Sequence, residues 1–213
     1  MLITIPLFDR FTALDAVGPY EVLSRLPGAE LVFVAERAGP VQTDTRALTL
    51  VAERALSDVD ACDVVVVPGG PGTRQMLEPQ PLHAWLRAID ATTQWTTSVC
   101  TGALLLGAAG LLDGLEATTH WSAFDTLASL GAHPTERRVV PQGKVVTAAG
   151  VSAGIDMALW LAGQIAGNEV AKAIQLGIEY DPQPPFDSGS IAKASPETRE
   201  LVRLATAPPP TTA

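Results

Sequence analysis

The segment DVVVVPGGPG, residues 63–72, constrains this chain more than any other. Four consecutive valines show no apolar/polar alternation, so a strand made from them has to be covered on both faces. That points to a parallel sheet between two helical layers, and the rest of the chain supplies the parts. Further β-rich runs are LITIPLF (2–8), AELVFVAE (29–36) and WTTSV (95–99). VQTDTRALTLVAE (41–53) reads as extended chain around a polar turn, and RVVPQGKVVTAA (138–149) as a hairpin about Gln142-Gly143. Helical stretches alternate with these runs. They are 13–26, interrupted at Gly18-Pro19; 80–91, with Leu82, Trp85, Leu86 and Ile89 on one face; and 101–112. Residues 121–131 end at a capping Gly131, and 152–177 supply one or two apolar helices. The expected class is α/β, a mostly parallel sheet with helices on both faces. With 213 residues and 47% hydrophobic composition, a single domain over 1–205 is expected, followed by a Pro/Thr-rich tail, 206–213, expected to be disordered.

Charge and cysteine usage exclude several roles. The formal net charge is −9 and the densest basic pair is Arg137-Arg138, which argues against nucleic acid and anionic membrane surfaces as partners. Two cysteines, Cys62 and Cys100, make no disulfide framework, and the start of the chain carries no basic leader, so a cytoplasmic location is expected. ALLLGAAGLL (103–112) is too short to span a bilayer, and 151–167 is interrupted by Asp156 and Gln164. No Cys/His zinc spacing and no phosphate-loop spacing occur, so neither metal nor organic cofactor is expected.

Cys100 closes a β-rich run and opens a helical one, in S-V-C-T-G. A nucleophile elbow needs small residues two before and two after its nucleophile, here Ser98 and Gly102. Amides at a helix start favour a thiolate there, and the Thr101 amide would face the same space. A small buried hydrophobe is the alternative for Cys100, and position alone does not separate the two. Gly69-Gly70, at the end of the valine run, offers further amides at the sheet edge where such folds bind ligands. Asp15 follows the first strand among Leu14, Ala16 and Val17, where a desolvated carboxyl would keep its proton; a helix cap is the alternative. His120, in ATTHW, is a candidate base or orienting partner. His83 and His133 read as structural, and Asp156 as a first-turn helix acid.

VVVVPGGPG, SVCTGALLLGAAGLLDG, ATTHW and TAAGVSAGIDMAL, in that order, resemble the ThiJ/PfpI superfamily over about residues 2–177. The resemblance implies a flavodoxin-like α/β sandwich with a reactive elbow cysteine and a protonated acid beside it. LDAVGPYEVLSRLP and IQLGIEYDPQPPFDSGS are similar to the isonitrile hydratase branch, whose members add water to R–N≡C to give an N-substituted formamide. Carried over, Cys100 would be the nucleophile, Asp15 its acid partner, and Gly70 and Thr101 the anion-binding pair, with His120 matching the family histidine. The resemblance also implies a cofactor-independent homodimer. Glyoxalase-like or amidase-like turnover and a non-catalytic redox or ligand sensor stay open as alternatives. No helix-turn-helix follows the matched region, which speaks against a transcription regulator. Tyr20, Trp121 and Phe186 are equally readable as pocket lining or as ordinary packing and surface.

Overall fold

The computed structural model describes residues 1–206. The expected disordered tail, 206–213, lies outside the described residues except for Thr206. In chain order the elements are β1 (Leu2–Pro6), α1 (Ala13–Leu23), β2 (Glu30–Ala35), β3 (Gly39–Gln42), β4 (Thr49–Ala52), β5 (Arg54–Ala55) and β6 (Val64–Val67). Then come α2 (Pro81–Asp90), β7 (Trp95–Val99), α3 (Gly102–Ala108), β8 (Glu116–Ala117), α4 (Phe124–Ser129) and β9 (His133–Pro134). The last are β10 (Val139–Gln142), β11 (Val145–Ala148), α5 (Ala153–Ala166), α6 (Asn168–Gly177) and α7 (Pro196–Thr206). The chain divides into two compact units, Met1–Glu179 and the residues from Tyr180 on.

In the first unit a seven-stranded sheet runs in the order β10-β11-β7-β6-β1-β2-β5. Every pairing is parallel except β10 on β11. The four valines of β6 are 0% exposed, as strand and helical layers on both sides require. α1 and α5 pack on one another over one face; α3 lies on β6 and β7 and carries α2 and α4 beside it. From β1 the chain moves to β2 on one side and returns to β6 on the other. β1 and β6 therefore flank the switch point, where strand ends diverge and such sheets leave room for a ligand.

Three local differences from the sequence reading have physical causes. α1 is not interrupted at Gly18-Pro19 but runs through Pro19. The ring removes only the bond to the Asp15 carbonyl, and packing offsets that loss: a Cβ at Gly18 would stand 3.1 Å from Ile155, and one at Gly154 3.2 Å from Pro19. α3 stops at Ala108 rather than 112, because Gly110 takes a φ of 77° that ends the helix. Residues 152–177 form two helices separated by Gly167, φ 86°. The 41–53 segment is the antiparallel β3–β4 pair, and 138–149 the β10–β11 hairpin with Gly143 at φ 61°. β5 and the short β8–β9 pair have too few residues for a periodic signal.

The second unit carries α7. Its start is held by Ser195 Oγ, which accepts from Thr198 N at 3.2 Å, and by Arg199, which donates to the Ala194 and Ile191 carbonyls. Phe186 is 78% exposed. No helix among the described residues is long and apolar enough to cross a membrane.

Candidate active site

Cys100 sits between β7 and α3 with a φ of 56°, a left-handed conformation that a residue with a Cβ adopts only under constraint. The constraint is visible. Cys100 N–H donates to the Ala148 and Ala149 carbonyls, at 3.1 and 2.9 Å, and its own carbonyl accepts from Thr119 Oγ1 at 2.8 Å. Gly102 has no room for a side chain, since a Cβ there would stand 2.1 Å from the Val67 carbonyl oxygen. Ser98 is fully buried. The glycine two residues after the cysteine is thus a steric necessity of a sharp turn.

Asp15 reaches this turn from the first turn of α1 and is 0% exposed. Its Oδ2 accepts from Gly69 N at 2.9 Å. Oδ1 has no regular hydrogen-bond partner among the described residues, while the carboxyl and the Cys100 thiol interact as hydrogen-bonding neighbours. The sulfur is thus within reach without the geometry of a settled bond. Burial pushes the Asp15 carboxyl from 3.8 up to about 7; the Gly69 amide and the Cys100 contact pull it down, and the charge of Asp44 adds to the rise.

The thiol moves opposite to the expectation of a depressed pKa. Burial first, and the negative charge of Asp15 next, push Cys100 up to about 12. The amides of Val151 and Thr101 point at the sulfur and lower it, as a helix start should, but they are outweighed because the residue is only 5% exposed. Burial raises both groups, so the pair holds on to its last shared proton.

Gly70 and Thr101 are brought together, though not as two free amides. Gly70 N–H donates to Thr101 Oγ1 at 2.9 Å, and that hydroxyl lies 3.2 Å from the Gly70 carbonyl. Gly70, at φ 141°, has no space for a Cβ, which would meet Arg10 O and Thr12 N at 2.5 Å. The glycine turn locks the α1 approach against the elbow. The second amide facing the sulfur belongs to Val151, which the sequence did not single out. The adjacent Gly150 is the trace of it: a Cβ there would stand 2.8 Å from the His120 ring.

His120 is half-buried beside that glycine. Its Nδ1 lies 2.8 Å from Ser122 Oγ and caps the short helical turn Trp121–Ala123; burial, then Arg74, lowers its pKa. Trp121 stacks near it at 5.4 Å, and Tyr20 packs against Phe33 at 5.7 Å. His83 is buried, with Nδ1 accepting from Gln80 N. Asp156 pairs with Arg138, and Arg137 with Glu116. Cavities of about 500 Å³, floored by Phe8 and Leu82, and about 470 Å³, beside Ile174, lie elsewhere; Cys100 lines neither. Among the described residues no three His, Cys, Asp or Glu side chains gather as metal donors.

The sequence pattern of the DJ-1/PfpI family matches residues 1–164. A Pseudomonas putida protein named isonitrile hydratase is 43% identical over 202 residues, 95% of this chain and 88% of its own. A crystal structure of a ThiJ/PfpI family protein from Pseudomonas syringae superposes with a TM-score of 0.92 at 37% identity, covering 96% of this chain and 85% of that one. Drosophila melanogaster DJ-1beta shares the fold at 20% identity, with a TM-score of 0.74 over 85% of this chain and 98% of that one.

Proposed function

The chain belongs to the DJ-1/PfpI family, and from that premise we propose that it is an isonitrile hydratase, converting R–N≡C and water to R–NH–CHO. The observation that carries the reading is the pair itself: a carboxyl raised to about 7 beside a buried thiol on a strained turn. The similarity to the Pseudomonas putida isonitrile hydratase supports the substrate class.

Both a nucleophile and a proton must arrive at the terminal isonitrile carbon, and the pair holds one of each. Cys100 Sγ forms the C–S bond, the S–H proton passes to ionised Asp15, and from there to the same carbon, leaving R–N=CH–S–Cys100. Water then adds to that carbon as Asp15 takes one of its protons and the nitrogen gains one. The C–S bond breaks, sulfur recovers its proton, and the formamide leaves. Covalent attack divides one hard hydration into two easier steps, and Asp15 with a pKa near neutrality suits both proton transfers. The Thr101 and Val151 amides stabilise the sulfur as it departs with negative charge. Gly70 supports this by holding the Thr101 hydroxyl. His120 takes no proton in this scheme; it caps its turn and walls the site. Adding water transfers no electrons, so the steps balance without a cofactor.

The test is incubation with cyclohexyl isonitrile, following N-cyclohexylformamide by chromatography and mass spectrometry. Formamide from the native protein and none from Cys100→Ala is the expected result. Unchanged isonitrile together with consumption of methylglyoxal would transfer the assignment to glyoxalase-like chemistry.

A further inference from the structure

Two of the buried polar atoms without a hydrogen-bond partner among the described residues are Ser98 Oγ and Thr118 Oγ1. They come from segments distant in sequence but meet behind the elbow. Ser98 on β7 pairs with Thr147 on β11 in parallel register, so the two hydroxyls stand on one face of the sheet. Thr147 Oγ1 accepts from Thr118 N at 2.8 Å, which sets Thr118 beside this pair. Ser98 and Thr118 are 0% exposed, and Thr147 1%. Beyond that bond Thr147 makes none through its hydroxyl among the described residues, so its proton also lacks an acceptor.

Three neighbouring buried hydroxyls, two with no partner among the described residues and one that only accepts, are costly if left dry, because each surrendered water on folding and recovered little. Near-isosteric Val and Ala would fill the same volume without that cost. We propose that Ser98, Thr118 and Thr147 enclose a binding site for a single water molecule. Water carries two donor and two acceptor positions and is held inside proteins by two to four polar partners, a requirement these three hydroxyls meet. The site has a mechanical consequence. Thr119, next to Thr118, donates to the Cys100 carbonyl at 2.8 Å, and His120 follows it. A water shared by Thr118, Ser98 and Thr147 fastens this segment to the two strands from which the elbow hangs.

The proposal does not depend on which reaction Cys100 performs, and its test reads stability and structure rather than turnover. Thr118→Val and Ser98→Ala keep shape and remove one hydroxyl each. With water bound, each single variant strips it of a partner and lowers Tm by about 2–4 °C. The double variant, in which the water leaves, falls by less than the sum of the two. The pairwise coupling of Thr118→Val with Ser98→Ala is therefore the deciding number, since additive losses would mean that the two hydroxyls share no water. If the hydroxyls stand dry, each substitution removes an unpaired buried group and Tm rises, which overturns the proposal. A high-resolution crystal structure gives the second arm. Density within hydrogen-bond distance of all three hydroxyls is expected, and hydroxyls turned onto strand carbonyls with no density between them would refute it.

Discussion

Asp15→Asn tests the electrostatics of the site most directly, because it removes the ionisation and leaves the shape. In the unfolded chain this carboxyl titrates near 3.8, and in the native protein near 7. Between those values the native state holds a proton that the unfolded state has released, so stability falls as pH rises, by about 1.4 kcal/mol per pH unit. Across the interval from 3.8 to about 7 the loss reaches about 4 kcal/mol, complete above the native value. Asparagine has nothing to ionise and escapes it. Its carbonyl still accepts from the Gly69 amide, though without charge assistance, at a cost of about 1 kcal/mol. The two proteins should therefore be equally stable near pH 4 to within about 1 kcal/mol, and the variant more stable by about 2–4 kcal/mol near pH 8. It should also produce no formamide. Urea unfolding followed by tryptophan fluorescence, repeated from about pH 4 to about pH 8, measures the difference. A stability difference that does not change with pH would mean that Asp15 ionises in the native protein at no cost, and the assignment of its role would fail with it.

Three further outcomes follow from the same geometry. With isonitrile as substrate, kcat/KM should rise tenfold per pH unit below about 7 and level off above it, as Asp15 ionises to accept the thiol proton; a profile that declines above neutrality contradicts this. Gly102→Ala places a Cβ 2.1 Å from the Val67 carbonyl and 2.8 Å from the Pro68 carbonyl, both backbone, so it should destabilise by about 3 kcal/mol in urea unfolding and abolish turnover. Cys62 is buried and its sulfur accepts from Thr4 Oγ1 at 3.3 Å, well away from the elbow in the fold. Cys62→Ala should cost about 1 kcal/mol of stability while formamide production stays at the native level.

What can be read from the sequence here follows the kind of force involved. Steric demands are local, and they show: Gly102 follows the Cys100 turn because the Val67 and Pro68 carbonyls exclude any side chain, and four valines make β6 a strand covered on both faces. Asp15 is legible because so few residues separate it from β1 that it must stay at the carboxyl edge of the sheet. The Gly69-Gly70 turn announces its amides, but that the Gly69 amide goes to Asp15 and the Val151 amide faces the sulfur leaves no comparable trace, since every residue but proline has an N–H. Only the tertiary path selects these two, β6 ending beside Asp15 and the chain beyond β11 folding over the elbow. The continuity of α1 through Pro19 is hidden for the same reason, being decided by the close crossing with α5.

The direction of the thiol's shift is the instructive difference. The sequence argument counts the helix-start amides, which are indeed aimed at the sulfur, and it places the charge on Cys100 and the proton on Asp15. It has no measure of desolvation, and at 5% exposure desolvation exceeds what two amides supply, so the thiol is pushed up rather than down. The chemistry does not turn on which of the two atoms carries the proton. Either distribution is the same singly protonated pair, differing by one transfer between neighbouring atoms. Attack on an isonitrile carbon consumes both the sulfur lone pair and that proton. What the reaction requires of this site is that the pair hold one proton above about pH 7, whichever atom carries it at rest.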